Sequence, residues 1–404
     1  MKLEKVLKYK KGKSPQKGNF DDSLILYLTP EYLRGNAVPS YIPNFLSKVE
    51  VENGDLLLLW DGSNAGEFFK GKNGILSSTM VMFDFDPVEY NSEFLFYQLK
   101  AVEGFLKSQT NGSGIPHVDR EILLGLNVEK FEKPEQTRIA EILSTADEAI
   151  ARTEALIAKY QRIKTGLMQD LLTRGIDENG TIRSKETHTF VVKNGIEVPE
   201  EWEVDALGTL IKAVDAQPNH RTPPSVDNGI PYLGINDIDE NGNVDFKKCR
   251  KVSNSVLEEH NRRYKLRDGD IIFGKIGTIG EPKRLKAWNN ITISANVILI
   301  QPHDTPDFIF WVLNSEYIQT QVKNSIHSTS QPAFGMEKIR NLTILIPPKN
   351  EREIIQSIIN QNESNILTTK THLSKLQSLK TGLMQDLLSG KVRVKIDNEL
   401  ETNN

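Results

Sequence analysis

The nine residues Lys-Thr-Gly-Leu-Met-Gln-Asp-Leu-Leu occur twice in the sequence, at Lys164–Leu172 and again at Lys380–Leu388. The two copies are 216 residues apart (380 − 164 = 216), just over half of the 404-residue chain. An exact match of this length does not arise by chance within one protein, and its period is far too long for a solenoid. The sequence therefore predicts a tandem duplication of two domain-sized halves.

Shorter matches at nearly the same offset extend the duplication through both halves. Asn53–Leu58 matches Asp268–Phe273, and Glu93–Leu99 matches Asp307–Leu313. Between these matches the two halves differ strongly in sequence. This pattern indicates a shared framework that carries two diverged surfaces.

Each half begins with a strand-rich block. Runs of β-branched and aromatic residues, bounded by Gly, Asn and Pro, predict strands within residues 1–133 and again within residues 201–347. Residues 176–200 are polar and rich in turn signals, which is typical of a linker, and residues 391–404 form a polar tail. The fold class predicted from these blocks is α+β, with two strand-rich α/β domains.

Two long helices are the clearest prediction of secondary structure. Apolar residues recur in steps of three and four over residues 134–175 and 348–390, the seam spacing of a coiled coil. Each helix would span roughly 38 of these residues and extend about 57 Å at 1.5 Å per residue. Because each narrow stripe can bury the other, we expect an antiparallel pair; the alternative is that each helix packs on its own block. The residues expected to form the pairing seam are Ile139, Ile142, Leu156, Ile163, Ile359, Ile366, Leu373 and Leu376.

The composition limits the class of protein. A single cysteine, Cys249, rules out an internal disulfide or a thiolate metal cluster and suits a reducing cytosol. No apolar run approaches the roughly 20 residues of a membrane span, and the charged N-terminus is unlike a signal peptide. We therefore expect a cytoplasmic protein without membrane contact. The formal net charge of −4 argues against an independent high-affinity nucleic-acid binder, but it allows local basic patches.

No catalytic constellation is readable in the sequence. The seven histidines are scattered without the spacing of metal ligands. The glycine-rich run Phe273–Gly280 follows a strand, yet it lacks the Gly-x-Gly-x-x-Gly spacing of a nucleotide cradle, and Trp60–Gly66 is its counterpart in the first half. We interpret both as tight turns that present backbone and small polar side chains to a ligand, with a merely structural turn as the alternative. We expect a chain without catalytic residues, bound cofactor or metal.

The duplicated arrangement resembles the specificity subunit of type I restriction–modification systems. Besides the two nonapeptides, the resemblance rests on Gly175–Gly180, Val198–Trp202, Asp268–Thr278 and Ser389–Val394. It covers essentially the whole chain. The first block departs from it by beginning abruptly at Leu3–Val6, so we expect the opening of that block to be shortened.

The resemblance implies a function for each part. Residues 1–133 and 201–347 would be target recognition domains, each reading one half of a split, asymmetric site in double-stranded DNA. The paired helices would fix the gap between the half-sites and dock two modification (methyltransferase) subunits, through which restriction (translocase and nuclease) subunits join. S-adenosylmethionine, ATP and Mg²⁺, with adenine-N6 methylation and DNA cleavage, would belong to those partners, and this chain would be non-catalytic.

Polar residues beside the framework matches are the candidates for DNA contact. Amide and hydroxyl groups at turns can read base edges, and a lysine can bind phosphate or guanine. Each candidate could equally be a solvated loop residue. The candidates are Ser63, Asn64, Ser113 and His117 in the first block and Lys275, Thr278, Asn296, Ser330 and Gln331 in the second.

Two other functions remain open at this point. The first is a non-catalytic DNA-binding adaptor in another defence or recombination system, which the same two-block pattern would serve. The second is an enzyme such as a methyltransferase, which is disfavoured because no Asn-Pro-Pro-Phe-type motif occurs in the chain.

Overall fold

In a computed structural model the chain divides into two compact units. Unit 1 comprises Met1–Glu154 with His372–Asn404, and unit 2 comprises Ala155–Thr371. The structure describes residues 1–14, 21–45, 47–110, 115–218, 221–239, 242–286, 288–326 and 333–395.

Unit 1 contains two four-stranded sheets and the first long helix begins in it. The strands are β1 (Leu7–Lys11), β2 (Asp21–Leu28), β3 (Ser40–Asn44), β4 (Glu50–Val51), β5 (Leu56–Leu59), β6 (Phe68–Lys70), β7 (Gly74–Leu76) and β8 (Met80–Phe85). The helices are α1 (Pro30–Leu33), α2 (Ser92–Ser108), α3 (Arg120–Gly125) and α4 (Lys133–Leu171).

The described residues of unit 2 form one four-stranded, one three-stranded and two two-stranded sheets. Its strands are β9 (Phe190–Lys193), β10 (Ile196–Pro199), β11 (Glu203–Ala206), β12 (Ile211–Asp215), β13 (Ile230–Leu233), β14 (Lys251–Val252), β15 (Ile271–Gly274), β16 (Pro282–Arg284), β17 (Thr292–Ile293), β18 (Val297–Pro302) and β19 (Thr343–Ile346). Its helices are α5 (Asn254–Arg263), α6 (Pro306–Asn314), α7 (Glu316–Ile326), α8 (Met336–Arg340) and the second long helix, α9 (Lys349–Leu388).

The main sheet of each unit has the same strand order. The order is β1-β8-β5-β6 in unit 1 and β12-β18-β15-β16 in unit 2, and all neighbours in both sheets are antiparallel. A short 3-10 turn precedes the first strand of the main sheet in both units, at Leu3–Lys5 and at Leu207–Thr209. Every residue of β5 and of β15 is buried, as their continuous apolar sequences require for strands covered on both faces. The main sheet is therefore the duplicated framework.

The two long helices form an antiparallel pair, as the sequence predicts. In unit 1 Lys380 forms an ion pair with Asp147, and in unit 2 Lys164 forms one with Glu363. Between the two pairs α4 advances by 17 residues (147 to 164) while α9 goes back by 17 (380 to 363), which defines one antiparallel register. Together with the two strand-rich domains, this confirms the predicted α+β fold class.

A glycine with left-handed backbone conformation lies shortly after the end of each long helix. Gly175 has a φ of +65° and Gly390 a φ of +72°, the conformation in which glycine has no Cβ penalty. A Cβ on Gly175 would also lie 2.1 Å from Oε1 of Glu351. Backbone conformation and space both require glycine at position 175.

Part of the predicted pairing seam is displaced by one residue. Leu156 and Ile163 were expected to lie in the seam, but each retains 38% of its exposure. Ile157 is buried instead, at 8%, next to Thr153, which is 9% exposed. The hydroxyl of Thr153 donates to its own helix at Ala149 O, so a threonine is tolerated there.

The other expected seam residues lie on inward-facing positions to different degrees. Ile139 and Ile359 are fully buried and Ile366 is 6% exposed. Ile142, Leu373 and Leu376 are half-buried.

A cation–aromatic box fixes each domain to the helix pair. In unit 1 Tyr97 of α2 donates from Oη to Asp147 at 2.7 Å, and the ammonium of Lys380 lies 5.7 Å from the centre of the tyrosine ring. In unit 2 the ammonium of Lys164 lies 4.7 Å from the ring centre of Trp311. Lys164 and Lys380 are the first residues of the two nonapeptides, which explains their place in the repeat.

A buried carboxylate at the start of each long helix binds the segment that follows the other helix. In unit 2 Glu351 accepts from Ile176 N at 2.9 Å and from Trp202 Nε1 at 3.1 Å, and it pairs with Arg183. In unit 1 Glu135 accepts from Arg393 Nε at 2.7 Å. We call these two arrangements the carboxylate clamps.

No helix in the described parts of the chain is long and apolar enough to cross a membrane.

Candidate DNA interface

Three segments of unit 2 meet where the central strand of the main sheet ends. Lys275, the first residue after β15, donates its N–H to Asn296 O at 2.8 Å. Its carbonyl accepts from Phe334 N at 3.0 Å. The loop after β15, the turn before β18 and the segment before α8 are therefore joined by backbone hydrogen bonds at one residue. We call this meeting point the loop junction.

Unit 1 has the same loop junction, built from different side chains. Trp60, the first residue after β5, donates its N–H to Thr79 O at 2.8 Å and accepts at its carbonyl from Val118 N at 3.0 Å. Backbone hydrogen bonds make no demand on side-chain identity, so the junction can be retained while the residues around it change. This is the arrangement expected of two readers with a common framework and different targets.

The loop that leaves the junction is closed by a glycine in both units. Gly66 N donates to Leu59 O at 2.8 Å, and Gly280 N donates to Gly274 O at 3.2 Å. The unit 2 loop is one residue shorter, because 280 − 274 is 6 whereas 66 − 59 is 7. A Cβ on Gly274 would lie 1.6 Å from Thr278 O, so the shorter loop requires glycine at that position.

The structure brings three of the unit 1 candidates to the junction. Ser63 and Asn64 are exposed in the loop after β5. His117 is also exposed, and it forms a β-bridge with Asp61 in the same loop. Ser113 lies outside the described residues.

Three unit 2 candidates within the described residues also lie at the junction, and two of them already have side-chain partners. Asn296 is exposed, and Thr278 is half-buried with its hydroxyl 3.3 Å from Asn236 Oδ1. Lys275 differs from the expectation, because it is only 7% exposed and its ammonium lies 2.7 Å from Oδ2 of Asp215. Ser330 and Gln331 lie outside the described residues.

Several residues at the junction were missed by sequence reasoning. Asn236 comes from a distant segment, and Ile276 exposes 46% of its surface at the loop tip. Trp60 stacks on Tyr9 of β1 with ring centres 5.1 Å apart. Asp215 carried no sequence signal, because its equivalence to Lys11 at the end of a main-sheet strand appears only in the structure.

A buried polar network supports the strand end beneath the unit 2 junction. His260 of α5 is 1% exposed, with Nε2 2.6 Å from Gln217 Oε1 and its other ring nitrogen bonded to Thr292. Burial lowers the pKa of His260, so the ring is neutral at physiological pH. Gln217 N in turn donates to Oδ1 of Asp215 at 3.1 Å.

Basic side chains flank the main sheet in both units. In unit 1 the exposed lysines Lys8 and Lys10 project from β1, which is an edge strand. In unit 2 a concave surface of about 490 Å³ runs beside the corresponding edge strand, β12. Its cationic lining comprises Lys212, Arg262, Arg263, Lys265 and Arg267.

Within the described residues no group of three or more His, Cys, Asp or Glu is placed to hold a metal ion.

Comparison with known proteins agrees with this organisation. The family model of the type I restriction modification DNA specificity domain matches residues 1–162 and 199–378. The chain is 31% identical, over 98% of its length and 93% of the relative, to the type I restriction enzyme MjaVIII specificity subunit of Methanocaldococcus jannaschii. The chain belongs to the type I restriction–modification DNA specificity family. The resemblance read from the sequence is thereby confirmed.

Further members of the family support the same assignment. The MjaIX specificity subunit of the same organism is 23% identical over 75% of this chain and 69% of its own length. The crystal structure of a type I restriction–modification S subunit from M. genitalium superposes with a TM-score of 0.62 at 16% identity, covering 96% of this chain and 95% of that one. At that identity the likeness shows a shared fold.

Proposed function

We propose that this chain recognises a split site in double-stranded DNA, with the loop junction of each unit reading one half. The observation that carries the proposal is the duplicated junction, which has the same backbone hydrogen bonds around Trp60 and Lys275 but different surrounding side chains. Specificity resides in side chains that reach base edges, so two halves with one framework and two surfaces suit two unrelated half-sites.

The exposed side chains at each junction supply suitable chemistry for reading bases. Asn64 and Asn296 carry amides that can form paired hydrogen bonds with adenine, and Ser63 carries a hydroxyl that serves as donor or acceptor. His117 adds an imidazole beside the unit 1 loop. We propose these four residues, with Thr278, as the base-reading group.

The basic surfaces beside β1 and β12 are proposed to contact DNA phosphates. Phosphate contacts position a protein on DNA without reading sequence, and each one contributes to the salt dependence of binding. Arg262→Gln with Lys265→Gln should therefore weaken binding of all sequences alike and lower the salt slope by roughly one per lost contact. Titrations of the assembled complex at several salt concentrations test this, and a changed base preference would contradict it.

Exposed apolar residues on the helix pair support the docking of two modification subunits. Ile163 on α4 and Leu379 on α9 are equivalent positions in the duplication, each just before the nonapeptide, and they are 38% and 56% exposed. Apolar side chains that are exposed at repeated positions suit an interface used twice. We propose that each helix carries one such interface.

The docking proposal is tested by equivalent substitutions on the two helices. Ile163→Asp or Leu379→Asp alone should reduce co-purification from two modification subunits per chain to one, and the double variant should reduce it to none. The exposed pair Gln161 and Gln377, also equivalent in the repeat, offers matched Asp substitutions that should leave two subunits bound. A stable one-to-one complex of the natural chain at excess partner would contradict the proposal.

The DNA-reading proposal is tested by mapping methylation in cells. The chain expressed with the modification subunit of its own system should direct N6-methyladenine to one split, asymmetric sequence throughout the genome. Methylation without sequence preference would overturn the proposal. Binding of a split site without docking of a modification subunit would instead favour an adaptor of another defence or recombination system.

The chemistry is proposed to lie in the partner subunits. S-adenosylmethionine would serve the modification subunits, and ATP with Mg²⁺ would serve the restriction subunits. The purified chain alone should neither methylate nor cleave DNA. Methyl transfer by the chain free of partner would contradict this assignment.

A further inference from the structure

A charge pair ties the first strand of the main sheet to the loop junction in each unit, and the two charges have exchanged ends. In unit 2 Oδ2 of Asp215, on β12, accepts from Nζ of Lys275 in the loop at 2.7 Å. In unit 1 the lysine is on the strand, and Nζ of Lys11 donates to Oδ2 of Asp61 in the loop at 2.7 Å. The same two segments are therefore linked in both units with opposite polarity.

The strand positions of the two pairs are equivalent. Lys11 and Asp215 are each the last residue of a five-residue first strand, in sheets of the same order. The loop positions differ by one residue, since Lys275 is the first residue after β15 and Asp61 is the second after β5. The link has been retained through the duplication although its sign and its exact loop position have not.

We propose that these pairs position the loop junction, and that Lys275 is a positioning residue and not a DNA contact. The proposal rests on the proposed function, in which the junction loops read DNA. A phosphate or a base edge distinguishes an ammonium from a carboxylate, whereas a link between a strand and a loop works with either polarity. The retained link fits a positioning pair, and the 7% exposure of Lys275 leaves its ammonium against Asp215 and away from solvent.

The burial of the two pairs differs and sets how strongly each junction depends on its pair. The side chains of Lys275 and Asp215 are 9% and 11% exposed, whereas those of Lys11 and Asp61 are 47% and 30% exposed. Removing one member of a buried pair leaves an uncompensated charge, and removing both does not. We expect the unit 2 junction to loosen after a single substitution and to recover when both charges are removed.

Hydrogen exchange of the full chain tests the positioning role directly. Asp215→Asn keeps an acceptor for Gln217 N but strands the lysine, and it should speed exchange of the Lys275 and Phe334 amides roughly tenfold or more. Lys275→Met should have a similar effect. The double variant should return both amides most of the way to their natural rates. The Val118 amide of the unit 1 junction should not change in any of the three.

A matched control separates the loss of a charge from the loss of the link. Asp245→Asn removes one member of an exposed pair with Lys248 elsewhere in unit 2, and it should leave the junction amides unchanged. Unchanged exchange in Asp215→Asn, or a double variant as fast as the faster single variant, would overturn the positioning role.

Methylation mapping with the modification subunit then separates positioning from direct reading. A positioning pair predicts that Asp215→Asn and Lys275→Met both relax the half-site read by unit 2, that the other half-site is kept, and that the double variant recovers the preference. A direct contact by Lys275 predicts an altered preference in Lys275→Met and in the double variant alike, which would overturn the proposal. If the natural complex methylates no split site, the proposed function fails, and the exchange experiment alone decides whether the pair holds the junction.

Discussion

The two units use charge in two different ways, and the difference shows what each contact is for. At the cation–aromatic boxes the polarity is the same in both units: the nonapeptide lysine lies over a ring and pairs with an acid, Asp147 or Glu363. At the loop junctions the polarity is reversed between Lys11–Asp61 and Asp215–Lys275. The polarity of the lysine–acid pair is thus the same in both units at the boxes. At the loop junctions only the link between strand and loop is the same.

The aromatic ring accounts for this difference. The face of an aromatic ring is negative, so it attracts an ammonium and would repel a carboxylate in the same place. Lys164 over Trp311 and Lys380 over Tyr97 therefore cannot exchange places with their acids. The loop pairs have no ring between their members, so either polarity closes the link. The charges of the domain–helix contacts are thus constrained in sign, whereas the charges behind the loops proposed to read DNA can exchange.

The carboxylate clamps also differ between the two units, and they give the largest expected effect on stability. The clamp of unit 2 is buried, since the side chains of Glu351 and Arg183 are each 9% exposed. In the clamp of unit 1 the side chain of Arg393 is 64% exposed. Glu351→Gln leaves the arginine buried without its charge partner and should lower the free energy of unfolding by about 3–5 kcal/mol. Glu135→Gln should cost clearly less, because Arg393 regains water.

Urea denaturation of both variants measures this difference. Glu353→Gln, an exposed substitution on the same helix turn as Glu351, should leave the midpoint unchanged. Equal losses for Glu351→Gln and Glu135→Gln would mean that burial does not distinguish the two clamps.

Substitution of the lysines at the cation–aromatic boxes gives the next largest expected effect on stability. Lys164→Met and Lys380→Met should each lower the free energy of unfolding by about 1–2 kcal/mol, because they remove a cation–π contact and an ion pair together. Lys164→Glu should cost more than Lys164→Met, since it places a carboxylate over Trp311 and beside Glu363. Thermal denaturation tests the order. A Glu variant as stable as the Met variant would show that the ring does not fix the polarity.

Removing one hydroxyl tests the unit 1 box more gently. Burial, and then the hydrogen bond to Asp147, raise the pKa of Tyr97, so the phenol stays protonated and donates. Tyr97→Phe should lower the free energy of unfolding by about 1 kcal/mol while the ring still meets Lys380. Denaturation of Tyr97→Phe in the Lys380→Met background provides the double-mutant cycle. Strict additivity would mean that the tyrosine, the acid and the lysine do not act together.

The pH dependence of the unit 1 clamp is the smallest predicted effect. The hydrogen bond from Arg393 lowers the pKa of Glu135 below its ordinary value of 4.5. A depressed carboxyl pKa stabilises the fold above the ordinary value, and this stabilisation is lost as pH falls through the folded-state value. Urea midpoints of the natural chain and of Glu135→Gln should therefore differ at pH 6 and converge as the pH falls through the lowered pKa of Glu135. A constant difference over that range would contradict the assignment.

The helices were predictable from sequence because their signals are local. Apolar periodicity placed the helices at 134–175 and 348–390, and the structure has them at Lys133–Leu171 and Lys349–Leu388. The seam residues Leu156 and Ile163 were misplaced for a physical reason. Ile157 and Lys164 face inward in place of Leu156 and Ile163, and periodicity of apolar residues cannot show that Lys164 has Glu363 as its partner.

The composition of each unit and the junction contacts could not be read from sequence because they depend on distant partners. Unit 1 includes residues 372–404 because the antiparallel register brings the end of α9 to the start of α4. Lys275 looked like a DNA contact because its acid lies 60 residues away on β12. The candidates Ser63, Asn64, His117 and Asn296 were found at the junction since the duplicated framework matches mark its edges.

The most direct test of two independent readers on one helix pair changes the length of the pair and leaves both strand-rich domains untouched. Because the ion-pair register advances residue for residue, the partner of Ala158 on α9 is Thr369 (158 − 147 = 11 and 380 − 11 = 369). Inserting four residues after Ala158 and four after Thr368 adds about 6 Å of helix, a little over one turn, so the apolar seam stays roughly in phase.

Genome-wide mapping of N6-methyladenine in cells that carry this variant, with its modification subunit, gives the answer. We expect the gap between the two half-sites to lengthen by one or two base pairs, at 3.4 Å of rise each, while both half-sites stay unchanged. An unchanged gap with full methylation would show that the helices do not set the spacing, and altered half-site bases would show that the two units do not read DNA independently.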